Sequence, residues 1–192
     1  MRKKNLLFIF LFAMLCFACN KEDKQNYGAS ISPIENAVNT SSSIEYTNRG
    51  NWTIATKFVS NKDGRITHLG ARIGKGTYVV ALWDSITQSV ITSTSIIVND
   101  STIFTYKDIP DIDIKANTKY LISINTKRQD VNATGYYAIC TYNIFPVTQG
   151  NITILSRYER QTTSALLLFP ADNAEIEYDF VGIASFKFEP KQ

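Results

Sequence analysis

Histidine is almost missing from this 192-residue chain, His68 being the single one. That scarcity removes most nucleophilic and metal chemistry. A Ser-His-Asp or Cys-His arrangement would have to use His68, whose neighbours Thr67 and Leu69 supply no nucleophile motif, and no G-x-S-x-G occurs. Zinc sites draw on clusters of His and Cys, and only three cysteines are present. His68 therefore reads as a half-exposed strand residue. Past the first four residues basic runs are also short, none longer than Lys127-Arg128, which argues against nucleic acid as a partner because phosphate binding needs a concentrated cationic surface. Past the first twenty residues, long apolar runs are absent too. The best stretch, Ala165 to Phe169, falls far short of the roughly 18 residues of a membrane-spanning helix.

What is present begins at the start of the chain. Met1 to Lys4 is a basic head, Leu6 to Leu15 is almost wholly apolar, and Cys16-Phe17-Ala18-Cys19 closes the run with a small residue before a cysteine. A run of about ten residues covers about half of a hydrocarbon core of roughly 30 Å, so it is too short for a permanent span. It has the grammar of a secretory signal, here residues 1–18. Leu15 to Cys19 resembles the lipobox of bacterial lipoproteins, although Cys16 stands where leucine is usual. The resemblance implies cleavage before Cys19 and acylation of that cysteine, so that the protein sits on a membrane through a lipid anchor. An ordinary cleavable signal releasing a soluble secreted protein is the alternative. Lys21-Glu22-Asp23 resembles the export signal that Bacteroidota use to place lipoproteins on the outer face of the outer membrane, which implies a cell-surface location.

Loss of residues 1–18 would remove Arg2, Lys3 and Lys4 and bring the 20 basic residues to 17, level with the 17 acidic ones. Cys140 would be left as the only free thiol, reading as a small core residue on one face of a strand with Tyr136, Ala138 and Tyr142. Residues 19–44, rich in Ser, Asn, Lys and Glu, read as the lipidated cysteine and a flexible tether. Part of that tether, Ala29 to Ile34, could instead pair as an edge strand. Residues 45–192 form a single domain large enough to fold without disulfide staples.

That domain is expected to be all-β, an antiparallel, jelly-roll-like β-sandwich. Strands are predicted at Thr53–Val59, Arg65–Ile73, Thr77–Trp83, Ser89–Val98, Ser101–Lys107, Lys119–Thr126, Gly135–Ile144, Ile152–Tyr158, Ala165–Phe169 and Ile176–Phe188. Turn residues separate them, including Asn61 to Gly64, where the glycine is expected to take a positive φ. In the last segment Ile176, Tyr178 and Phe180 alternate with Glu175, Glu177 and Asp179, predicting one core face and one wet face, with a bulge at Gly182. Over Trp52 to Tyr137, the stretches Asn51–Phe58, Asp63–Ile66, Ala81–Asp84 and Ile114–Tyr120 resemble an uncharacterised jelly-roll-like domain found beside bacterial surface and carbohydrate-active modules. Ala55 departs from the glycine frequent there, and the family carries no firmly assigned activity.

Candidate sites are sparse. Glu175, Glu177 and Asp179 form the densest acidic set, but their alternation is that of a solvated strand face rather than of the opposed carboxylates of a glycosidase, so no enzyme is expected. Asp108, Asp111 and Asp113, around Pro110, are candidate oxygen ligands for Ca²⁺ or simply an acidic inter-strand turn. No cofactor is required. Trp52 and Trp83 read as core. Tyr137, adjacent to Tyr136, and Tyr158, beside Arg157, are the exposed aromatics on which a sugar ring could stack. Asp84-Ser85-Ile86 and Asp100-Ser101-Thr102 resemble the O-glycosylation motif of exported Bacteroidota proteins, and equally read as turn formers. The functional expectation is a surface lipoprotein with a non-catalytic module that binds glycan, or else a structural or adhesive accessory subunit making its contact through a strand edge with another surface protein.

Overall fold

The structure, a computed structural model, describes residues 25–40, 45–49, 51–126, 134–140, 144–162, 166–170 and 179–192, with backbone alone for 45–49 and 134–140. The strands are β1 (Glu45–Arg49), β2 (Trp52–Ser60), β3 (Gly64–Arg72), β4 (Gly76–Asp84), β5 (Val90–Val98), β6 (Thr105–Ile114), β7 (Lys119–Asn125), β8 (Thr134–Cys140), β9 (Val147–Gln149), β10 (Ile152–Gln161), β11 (Asp179–Val181) and β12 (Ile183–Pro190), with one helix, α1 (Pro33–Asn39). They form a six-stranded sheet β5-β4-β7-β2-β10-β9 and two three-stranded sheets, β12-β3-β6 and β1-β8-β11. Every pairing is antiparallel. The chain is thus the all-β sandwich its spacing predicts.

Period-two alternation builds the core. Ile54 and Phe58 of β2, Tyr78, Val80 and Leu82 of β4, and Tyr120, Ile122 and Ile124 of β7 turn one face of the large sheet onto Ile66 and Leu69 of β3 and Phe186 and Phe188 of β12. Phe58 and Phe186 meet with ring centroids 4.4 Å apart. The outer face of the same sheet carries a second, smaller cluster of Ala55, Ala81, Trp83 and Leu121, against which Tyr158, Leu167 and Phe169 pack. Residues 166–170 are not the predicted strand. They cross this outer face, tied down by Asn125 Nδ2 donating to the Leu166 carbonyl at 3.1 Å.

Part of the predicted tether belongs to the fold. Residues 26–31 run beside β12, with Gly28 N donating to Pro190 O at 2.7 Å and Ile31 and Phe188 exchanging two backbone bonds at 2.9 Å. α1 follows, starting with Pro33 at its first turn. Its residues Ile34, Ala37 and Val38, on one helical face, are buried beside β12 and β9. Seven residues cannot sustain a helix alone, so burial of that face is what holds it.

Two local expectations change. Gly64 begins β3 without a positive φ; what it supplies is space, because a Cβ there would lie 2.4 Å from Phe188 Cζ and 2.5 Å from the Glu189 carbonyl oxygen. Gly182, at φ 54°, is not a bulge within one strand but a break between β11 and β12, which belong to different sheets.

Candidate functional site

Cys19, Lys21, Glu22 and Asp23 lie outside the described residues, as do Glu175 and Glu177. Tyr136, Tyr137 and Cys140 fall on β8, where only the backbone is described; Tyr137 pairs with Tyr46 of β1.

Arg157 is not an exposed ligand-binding residue. A register shift between Ile154 and Ser156 turns Arg157 of β10 to the inner side, opposite Thr56, and leaves it 3 % exposed. Its guanidinium pairs with Glu159 and, at 2.8 Å, with Asp179 of β11. Asp179 is correspondingly buried, correcting the wet face predicted for it. The buried pair links β10 to β11 across the layers.

Tyr158, opposite Ala55, sits on the outer face. Lys57 Nζ donates to its hydroxyl at 2.9 Å and lies 5.2 Å from its ring centroid, so the ring is half-buried rather than a bare platform. Trp83 is buried with Nε1 donating to Ser123 Oγ at 2.7 Å, and Trp52 packs against the main core.

Asp108, Asp111 and Asp113 lie along strand β6, not in a turn. His68 Nε2 stands 3.8 Å from Asp108 Oδ1, Arg65 pairs with Asp111, and Asp113 is opposite Arg65 in register. Among the described residues no group of three or more His, Cys, Asp or Glu converges as a metal site. The two glycosylation-like tripeptides are turns in which aspartate caps backbone: Asp84 Oδ1 accepts from Ile86 N and Thr87 N at 2.8 Å, and Asp100 Oδ1 from Thr102 N at 2.8 Å. Hydrogen bonds hold both carboxylates below their ordinary pKa, chiefly from the Thr87 amide for Asp84 and from the Thr102 hydroxyl for Asp100.

Among the described residues the sheet edges differ in how they are protected. Proteins guard open edges with charge, proline, shortness or a cover. β6 carries Lys107, Asp108, Pro110, Asp111 and Asp113; β1 has Glu45 and Arg49 within five residues; β9 and β11 are three residues long; the arm 26–31 covers β12. Strand β5, Val-Ile-Thr-Ser-Thr-Ser-Ile-Ile-Val, has nine residues with no charge and no proline. It ends the six-stranded sheet, with Ile91 37 % and Ile97 62 % exposed. Periodicity predicts the strand, but its place at an edge is set by tertiary pairing; the one clue in the sequence is a nine-residue run without charge. The chain matches no known family model and no curated protein.

Proposed function

We propose that this chain is a surface lipoprotein, anchored through Cys19 and exported under Lys21-Glu22-Asp23, whose sandwich is a non-catalytic adhesive or structural module that takes an extracellular protein partner by strand addition along β5. The nine-residue edge, free of charge and proline and with no strand beyond it among the described residues, carries this reading. An added strand gains affinity from main-chain hydrogen bonds and specificity from alternate side chains, and Ile91 and Ile97 supply the apolar contacts. The non-catalytic part is supported by the only histidine, His68, being paired locally with Thr67 Oγ1 at 2.8 Å on β3, the central strand of its sheet.

Two experiments test it. Cys19→Ala is expected to abolish fatty-acid labelling of the protein and protease accessibility on intact cells; unchanged labelling removes the anchor. A photo-cross-linking residue at Ser95 is expected to capture a protein chain in cells, whereas one at Thr77 is not.

Glycan binding is the second reading, and it rests on Tyr158 and Lys57 sharing the outer face. Glycan-array binding lost on Tyr158→Ala would favour it; a blank array would remove it.

A further inference from the structure

The exposed strand β5 reads nearly the same in both directions: Ile91-Thr92-Ser93-Thr94-Ser95-Ile96-Ile97. Turned about Thr94, an antiparallel copy sets Ile91 against Ile97, Thr92 against Ile96 and Ser93 against Ser95. The backbone permits that register. Asp84 N donates to Ser89 O within the β4–β5 hairpin, while the next amide, that of Ser85, donates to Lys119 O beside β7. By ladder alternation, Val80 and Tyr78 turn their backbone groups to β5, where they face Thr94 and Ile96. The N–H and C=O groups of Ser93, Ser95 and Ile97 then point away from β4. In the self-pairing, outward groups meet outward groups. Lys107 Nζ, 3.2 Å from the Ser95 carbonyl, occupies that outward side and, being exposed, can swing off as a strand arrives. No charge is opposed across the pair, and Ile97 comes opposite Ile91, the extra residue where the β4–β5 register shifts between Thr92 and Val90.

We infer that β5 pairs with β5 of a second copy, antiparallel about Thr94, and that it does so between copies on facing surfaces. This rests on the reading of β5 as the docking edge and of Cys19 as the anchor. Val90 is opposite Trp83, which is level with Leu121 and so with Lys57. Strand β5 therefore starts at the end of the sandwich that holds the turn after Ser60, where Lys191 N donates to Asp63 O and the arm begins. Six peptide steps separate Cys19 from Gln25, a reach of about 20 Å at most. Antiparallel pairing reverses the second copy, and nine residues at roughly 3.3 Å each set its leash about 30 Å away at the other end. The two arms therefore start at opposite ends of the paired strands, a geometry that suits anchors in two facing membranes. One strand pair buries less than the roughly 800 Å² per partner of a standard interface, so adhesion comes from many pairs acting together.

The test uses the full acylated chain displayed outward on two populations of phosphatidylcholine vesicles carrying different dyes. The vesicles are expected to cluster, and Thr94→Cys is expected to give a disulfide dimer between populations that neither the unsubstituted chain, the control for Cys140, nor Gln88→Cys gives. Ser93→Lys/Ser95→Lys should cut clustering at least tenfold with an unchanged unfolding midpoint. Ser93→Glu/Ser95→Lys should restore it, because the glutamate introduced in each copy then faces the lysine introduced in the other. Clustering that survives the double-lysine change, or Thr94→Cys dimers confined to one vesicle population, overturns the inference. If no dimer forms while the Ser95 photo-cross-link captures a different chain, the second copy is wrong and strand addition stands; if neither forms, both fail.

Discussion

Alternation places Asp179 on a wet face, and the reason it is buried is Arg157, a residue 22 positions earlier that the Ile154/Ser156 register shift turns inward. Removing one member of a buried ion pair leaves the other charge unsatisfied, at about 3–5 kcal/mol. Asp179→Ala leaves Arg157 its pair with Glu159, so it is expected to lower stability by less than that, about 1–3 kcal/mol in urea unfolding, and Arg157→Met/Asp179→Leu to lower it by less than the single change. Exposed acids make a different prediction. The hydrogen bonds from Thr87 and Ile86 depress the folded pKa of Asp84 below its ordinary 3.8. That stabilisation is present above pH ~4 and is lost as pH falls through the depressed value. Asp84→Asn keeps an acceptor for the turn and removes the titration, so its urea midpoint is expected to fall less between pH 6 and pH 3 than that of the unsubstituted chain.

Elements divide by how their signal is written. β2, β3, β4, β5, β7 and β10 lie within a few residues of their predicted bounds, since two-residue alternation of Ile, Val, Leu and Tyr is local information. β6 departs from its predicted bounds because Pro110 and three aspartates look like a turn, whereas an edge strand tolerates proline and uses charge as a guard. Gly64 belongs to this scale as well. Phe188 and the Glu189 backbone approach too closely for any Cβ, so Gly64→Ala is expected to cost about 1–3 kcal/mol, as overpacked sites do. A chemical denaturation series checks it, and an unchanged midpoint would mean that β3 and β12 separate freely there.

The whole molecule begins earlier than composition suggests. Ile34, Ala37 and Val38 of α1 lie in the main core, and full burial of an Ile or Val side chain is worth roughly 1.5–3 kcal/mol. A chain trimmed at Ile44 is therefore expected to lose at least about 3 kcal/mol relative to the chain that keeps Gln25 to Thr40, with amide exchange quickened along β12, the strand that the arm covers. Equal stability of the two would assign the arm and helix no part in the fold.

By itself the sequence determined the all-β class, most strand positions and the inward set of aliphatic residues, because each depends on neighbours one or two residues apart. Tertiary structure alone decided that Arg157 and Asp179 meet, that α1 plugs the core, that 166–170 cross the outer face and that β5 ends a sheet with no further strand beside it among the described residues. Those features depend on which distant segments pair, and residue spacing carries no record of who stands on the other side of a strand.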